Sequence, residues 1–547
     1  MAFFIGIDVG TGSARAGVFD DEGRLIASAK RAIEIWHAPG EIVEQSSRDI
    51  WQAVCESVRE AVATSAIAPD AVDGIGIDAT CSLVAIGADG SPVAVGPSGD
   101  PDRNIIVWMD HRAIDQTRRI NATGHRVLSY VGGVISPEME TPKLLWLAEA
   151  MPESFRAAAH FFDLADWLTF RTTGSLTRST CTLTCKWTYL AHERRFDEGF
   201  FREIGLGVLA DEGFVRIGTE VVEPGTPLGA GLTVEAAAEL GLRPGIAVAA
   251  ALIDAHAGGL GSVGGRDVGG AATDASRQMA YIFGTSACAM ATTAEPEFVP
   301  GVWGPYFSAM LPGLWLNEGG QSAAGAAIDH LVTLHPATPA ARKEAAEEGL
   351  SLFAYLEERI ARLADRMEET VRLAAHIQVV PEFLGNRSPK AEPDARATIA
   401  GLDLSEDIDS LARLYLAGLC GLSYGARQIV EALSIQGIDI ETIVLSGGAG
   451  QSPLVRQTLA DATGLTIAVP ETPEPVLLGA AILGAMAAGR FATTVDAIEA
   501  MSRLGLEYRP AGSLSRRLHD AKYEIFLSLQ NEDRRARAAI RAALAGT

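Results

Sequence analysis

Short apolar runs open the chain. Residues 3–9, 16–19, 74–78 and 83–86 are apolar stretches bounded by turn residues, and predict strands. Residues 46–62, "SSRDIWQAVCESVREAV", change to helical period behind a polar N-cap, and residues 141–151, "TPKLLWLAEAM", form a second helix with proline in its first turn. Residues 245–261, "GIAVAAALIDAHAGGLG", predict a buried strand that ends at Asp254 and passes into a small-residue turn. Seven glycines between positions 258 and 270 then mark a boundary or hinge.

Past that boundary the pattern restarts. A strand "RQMAYIF", a turn "GTSAC" and a strand "AMATT" repeat the order of the first twenty residues. Gly10-Thr11-Gly12-Ser13 and Gly284-Thr285-Ser286 each sit on a turn between two short strands, which suggests two halves of one design. A long helical stretch over 341–377 follows, then a proline-rich polar loop. Helices around 411–433, a strand at 442–446, the turn "GGAGQSP" and a helix come next, and an arginine-studded helical tail closes the chain. Its cations are expected to form a solvated face.

Composition narrows the function classes. A chain of 547 residues exceeds one core and fits two domains. A net charge of −24 argues against nucleic acid or an anionic membrane as partner, but leaves a nucleotide open, since that needs only a local cluster of donors. The six cysteines are scattered, with Cys181 and Cys185 four apart and no second pair nearby, so zinc is not expected and reduced thiols in a cytoplasmic protein are. No signal peptide and no membrane-spanning run are read from the sequence.

The chemistry gathers at the turns. In "GIDVGTGSARAGVFD", glycine and hydroxyl residues present backbone N–H groups in a concave bend that suits phosphate oxygens, with Arg15 as a charged donor. Asp8 would repel phosphate unless Mg²⁺ lay between them, directly or through water. The stretch is neither a Walker A loop nor a dinucleotide fingerprint, and an ordinary hairpin remains the alternative. Gly284-Thr285-Ser286 could hold the other side of the same phosphate chain. Gly447-Gly448, after a strand and before a helix, would let a backbone approach a flat ring or ribose. Asp254 could accept a proton from a sugar hydroxyl as that oxygen attacks phosphorus; the same residue could equally cap the next helix. His256 is expected to pack or to support its neighbours.

These motifs, in this order, resemble the FGGY carbohydrate kinases of the actin/hexokinase/heat-shock ATPase superfamily. "DVGTGSARAGVFD" resembles the first phosphate loop, "EQS" at residues 44–46 an early acidic-glutamine element, "FGTSAC" the second phosphate loop, and "SGGAGQSP" the adenosine loop. "PVLLGAAILGA" at 475–485 resembles a late small-residue helix that supports the nucleotide lobe. The resemblance implies an α/β fold of two ribonuclease-H-like domains around a catalytic cleft: an N-terminal sugar-binding domain over 1–265, a C-terminal nucleotide-binding domain over 272–495, and a helical tail over 496–547.

It further implies ATP and Mg²⁺ as cofactors, with Asp254 as catalytic base and Asp8 and Asp254 serving the metal. The ATP site it implies comprises Gly10, Thr11, Gly12, Ser13, Arg15, Gly284, Thr285, Ser286, Gly325, Gly447, Gly448 and Ser452. Ala79-Thr80-Cys81-Ser82, "CKWTYL" with Lys186 and "NEGGQSAAG" with Glu318 resemble ribulokinases, so Cys81, Lys186, Asp254 and Glu318 are the expected sugar ligands. "NIIVWMDHRA", "GGVISPEMETPKLLWL", "IDAHAGGLG", "GVWGPYF" and "FLGNRSP" are most similar to the D-ribulokinase group. Asp110, His111 and Arg112 either contact substrate or stabilise their lobe. The expected reaction is phosphorylation of D-ribulose at its terminal hydroxyl, with L-ribulose, ribitol and xylulose as alternatives and an actin- or chaperone-like ATPase as a different class. A homodimer is the family-level expectation.

Overall fold

The computed structural model describes residues 2–364 and 366–545. Its elements, in chain order, include β1 (Phe3–Val9), β2 (Ser13–Asp20), β3 (Leu25–Ala32), α1 (Ser47–Ser65), β4 (Val72–Ala79), α2 (Thr180–Lys186), β5 (Ala247–Val248), β6 (Leu252–Ile253) and α3 (Asp254–Leu260). The second half contributes β7 (Gln278–Phe283), β8 (Ala287–Thr293), β9 (Trp303–Phe307), β10 (Trp315–Gln321), α4 (Gly325–Thr333), α5 (Ile408–Ile435), β11 (Thr442–Ser446), α6 (Pro453–Thr463), β12 (Thr466–Pro470), α7 (Pro475–Ala487), β13 (Leu504–Tyr508) and α8 (Ser513–Ala545).

Each half carries one mixed sheet, and the two sheets share a plan. In the first, β3, β2 and β1 form an antiparallel meander, and β4 and β5 continue it in parallel, with β6 beside β4. In the second, β10, β8 and β7 form the meander, with β11 and β12 in parallel beyond it. The repeated glycine-hydroxyl turns therefore occupy the same place, the first hairpin of each sheet. This is the two-domain α/β arrangement the motifs implied.

Strand alternation explains how acids reach the cleft. Successive side chains point to opposite faces, so Gly6 and Asp8 on β1 share a face, as do Gly74, Gly76 and Asp78 on β4. Helix α7 lies on the glycine part of that face. A Cβ at Gly6 would lie 2.0 Å from the Leu477 carbonyl oxygen, at Gly76 1.7 Å from that of Ala480, and at Gly74 2.1 Å from that of Gly484. The helix thus runs with its N-terminus toward the Asp8 end, and its positive pole favours carboxylates there. The late small-residue helix was expected to support the nucleotide lobe. It instead crosses back and packs on β1 and β4 of the first half and on α3. Replacing Gly76 by valine is expected to lower the melting temperature in calorimetry, because overpacking typically costs about 1–3 kcal/mol and here the obstacle is backbone; an unchanged Tm would mean that α7 does not rest on β4.

Other differences have local causes. The run 245–261 is not one strand: β5 and β6 are two residues each, and Asp254 opens a helix. The glycines there serve close packing, since a Cβ at Gly261 would meet the Pro475 carbonyl oxygen at 2.0 Å. The helical stretch expected over 341–377 is broken into Thr338–Glu347, Leu352–Leu363 and a 3₁₀ segment, with Gly349 at positive φ and Ser351 capping the second piece. The tail is not all helix, because β13 pairs with β12 at the sheet edge. Helix α8 buries Tyr523 and Phe526 in the second core, and its Arg534 and Arg537 pair with Glu392. No described helix is long and apolar enough to cross a membrane.

Candidate functional site

The two hairpin turns face one cavity of about 430 Å³ between the halves. Gly10, Thr11, Ser13 and Arg15 line it from the first sheet, and Gly284, Thr285 and Ser286 from the second. Both turns are braced. The Gly10 N–H donates to the Ser13 carbonyl (3.0 Å), Gln45 Nε2 donates to the Thr11 carbonyl (2.7 Å), and the Trp108 indole N–H donates to Thr11 Oγ1 (2.9 Å). Gln45 is the middle residue of the "EQS" element, so that element serves the first loop directly. Across the cavity, the Gly284 N–H donates to the Ser286 carbonyl (2.9 Å), and the start of α4 closes on the same turn through Gly325 N–H to the Gly284 carbonyl (3.0 Å).

The expected nucleotide residues divide accordingly. Gly12 is exposed at the tip of its turn, with open space where a side chain would stand. Gly325 lies behind the second turn: a Cβ there would come 2.8 Å from the Gly284 carbonyl oxygen, so it supports the loop and is not on the wall of this cavity. Gly447 lines a second cleft with Ser446, Gly450, Gln451, Glu471 and Thr472. It packs on the Phe283 backbone, so this cleft abuts the end of β7; Gly448 stands open beside it. Ser452 accepts from the Val455 N–H (3.2 Å) as the N-cap of α6, which commits its hydroxyl to the helix.

Three carboxylates converge beneath the first turn. Asp8 stands in register with Arg15 on β2 and with Asp78 on β4. Arg15 Nε donates to Asp8 Oδ2 (2.6 Å), and its Nη1 donates to Glu474 (2.7 Å). Asp78 is fully buried, and neither of its oxygens has a hydrogen-bond partner. Burial, then the charges of Asp8 and Asp254, hold its carboxyl well above the usual range. Asp254 opens α3 and lines the cavity. Burial and Asp8 push it up to about 6, against the Ala255 N–H, His256 and Lys186. An acid raised to that range is suited to accept a proton near neutrality. Carboxylate oxygens are the hard donors that magnesium takes, so Asp8 and Asp254 on the cavity wall fit such an ion, with the orphaned oxygens of Asp78 buried behind them.

Asp78 escaped the sequence reading. Its signal was present: "IGID" occurs in both β1 and β4, each time as an apolar strand ending in an acid.

The remaining wall is polar and aromatic. Cys81, Lys186 and Glu318 line it, and with them stand Trp108, Glu138, Trp303 and Arg387, which the sequence did not single out. Lys186 Nζ lies 5.3 Å and the Arg387 guanidinium 5.4 Å from the Trp303 ring centre. Neither cation makes a hydrogen bond or ion pair with another described residue, so both have donors to offer a ligand. Glu318 Oε2 lies 3.3 Å from His256 Nε2, and His256 Nδ1 lies 3.0 Å from Cys181 Sγ. Burial raises the Glu318 carboxyl, but the His256 hydrogen bond and the Lys186 charge outweigh it and bring it down to about 2. His256 thus stands between Glu318 and Cys181. Arg112 is buried against Asp110 and Glu44, and Asp110 accepts from the Val43 N–H, so this pair stabilises its lobe. His111 lies outside the cavity wall, 3.8 Å from Glu138.

Comparison with known proteins agrees with this geometry. The model of the FGGY family of carbohydrate kinases, N-terminal domain, matches residues 3–261, and that of the C-terminal domain matches residues 279–488. The FGGY carbohydrate kinase domain-containing protein of Homo sapiens is 46% identical over 96% of each chain. A D-ribulokinase of Saccharomyces cerevisiae is 39% identical over 89% of this chain and 72% of its own. Among solved structures, a xylulose kinase from Rhodospirillum rubrum superposes with a TM-score of 0.78 at 21% identity, over 97% of this chain and 98% of that one. With both family models matched in order across two like-built halves, the chain belongs to the FGGY family of carbohydrate kinases and is an ATP-dependent sugar kinase.

Proposed function

We propose that the protein phosphorylates D-ribulose at its terminal hydroxyl, giving D-ribulose 5-phosphate and ADP. One observation carries this reading: Asp254, Lys186 and Glu318 share a cavity with both phosphate turns. The 39% identity to a D-ribulokinase supports the choice of sugar.

In this reading the triphosphate lies between the turns, held by the N–H groups around Gly10 and Gly284 and by the hydroxyls of Thr11, Ser13, Thr285 and Ser286. Arg15, though paired with Asp8 and Glu474, retains N–H groups on its terminal nitrogens. The base lies toward the Gly447 cleft. Asp8 and Asp254 would hold Mg²⁺, which supplies charge neutralisation on the phosphates. The sugar lies against Lys186, Glu318, Cys81 and Arg387, with Trp303 as its apolar floor. Its terminal hydroxyl gives its proton to Asp254 as the oxygen attacks the γ-phosphorus. Exclusion of water by the surrounding wall keeps the phosphoryl group from solvent.

A panel of D-ribulose, L-ribulose, D-xylulose and ribitol, followed by ADP release, tests the proposal. The kcat/KM for D-ribulose is expected to exceed the others by at least about tenfold, the discrimination that one misplaced hydroxyl costs. Preference for another pentulose or pentitol would move the assignment to that compound. ATP turnover indifferent to all of them would end it.

A further inference from the structure

Cys181, Cys185 and His256 form a compact donor set that the kinase chemistry does not use. Their ligand atoms lie within 4.8 Å of one another, all buried. The two cysteines sit one turn apart on α2, and His256 enters from α3. In sequence the pair lacked further ligands; the fold supplies the third, His256, 71 positions beyond Cys185.

The surroundings are already arranged as around a metal-bound thiolate and imidazole. His256 Nε2 meets the Glu318 carboxylate at 3.3 Å, which turns Nδ1 toward sulfur. A carboxylate behind the far ring nitrogen is the usual support of a metal-ligating histidine. The Ile253 N–H donates to Cys181 Sγ at 3.3 Å. Two soft thiolate sulfurs and one borderline imidazole nitrogen select zinc or monovalent copper over magnesium.

We propose that Cys181, Cys185 and His256 bind a thiophilic d¹⁰ cation, and that its binding inhibits the enzyme. The ion takes two thiolate sulfurs and the Nδ1 lone pair; two protons leave to solvent and nothing is oxidised. Donors around zinc stand roughly 3.5 Å apart. His256 Nδ1 now stands 3.0 Å from Cys181 Sγ, so opening the set to that spacing draws on the turn from Ile253 to His256, which carries Asp254. A displacement of that base by about 1 Å is enough to cost about a hundredfold in rate. The inhibitory effect rests on the proposed role of Asp254; the binding does not.

Metal-free full-length protein is titrated with Zn²⁺ by calorimetry and with Co²⁺ by absorption spectroscopy. One ion per chain and a thiolate-to-cobalt charge-transfer band are expected. Protein loaded with one equivalent of Zn²⁺, freed of excess and then given MgATP and pentulose, should turn over at least about tenfold more slowly than the metal-free enzyme. Cys185→Ser should lose the band and the inhibition while keeping basal turnover, and Cys420→Ala should keep all three. No cobalt–thiolate band in the wild type, or zinc binding undiminished in Cys185→Ser, would overturn the site. If Cys185→Ser fails to fold, the intensity of the wild-type band, which reports thiolates per cobalt, decides alone. A clear band with unaltered turnover would overturn the inhibition. Absence of pentulose turnover in every sample would count against the proposed function and leave the metal result standing.

Discussion

Replacing Asp254 by asparagine is expected to leave ATP binding intact and to lower kcat at least about a hundredfold, the usual scale of a lost general base. Asparagine keeps the shape and keeps an oxygen to accept from the Ala255 N–H, so the first turn of α3 should survive. What goes is the ability to take up a proton. The substitution also removes a negative charge from beside Asp8 and the buried Asp78, whose carboxyl the charges of Asp8 and Asp254 both raise. Stability should therefore hold or rise, which separates a chemical loss from an unfolded variant. The measurement is ADP release at saturating pentulose beside calorimetry with ATP. Near-normal turnover would remove Asp254 from the role; lost ATP binding would make it a ligand of the nucleotide instead.

The architecture was legible because it is written locally. The first hairpin, α1 with its Ser46 cap, and β11 stand where alternation and capping put them, and the two glycine-hydroxyl turns could be matched by inspection. What escaped depends on contacts far apart in sequence. Nothing within 475–487 tells whether that helix covers its own lobe or the other; the answer lies in Gly6, Gly74 and Gly76, which leave the space it fills. Asp254 ended an apolar run of small residues, and only the parallel pairing of β6 with β4 shows that the run breaks into two short strands and a helix. Asp78 was overlooked because an acid at a strand end is ordinary until Asp8 stands beside it in register. Arg387 lies within the loop "FLGNRSP", and no local pattern aims a loop arginine at Trp303.

Removing Lys186 or Glu318 is expected to raise the KM for the pentulose by roughly ten- to a hundredfold, while the KM for ATP moves less than about threefold. A hydrogen bond to a charged group is worth about 1.5–3 kcal/mol, and each tenfold in affinity is about 1.4 kcal/mol. Lys186 sits at the end of α2 and Glu318 on β10, each on the wall away from the phosphate turns, so the nucleotide should scarcely sense their loss. The two variants should nonetheless differ. Lys186→Ala takes away a cation that makes no hydrogen bond or ion pair with another described residue and lies over the Trp303 ring, and its effect should fall chiefly on sugar binding. Glu318→Ala also strips His256 of its carboxylate and, through Cys181 and Ile253, loosens the turn that carries Asp254. It should therefore lower kcat as well as weaken sugar binding. Glu318→Gln, which keeps a hydrogen-bond acceptor for His256, should recover part of kcat but not the full affinity for sugar. Equal rises in KM for sugar and ATP would show that these side chains are not sugar ligands. Restoration of both parameters by glutamine would show that the charge of Glu318 has no part in holding the substrate.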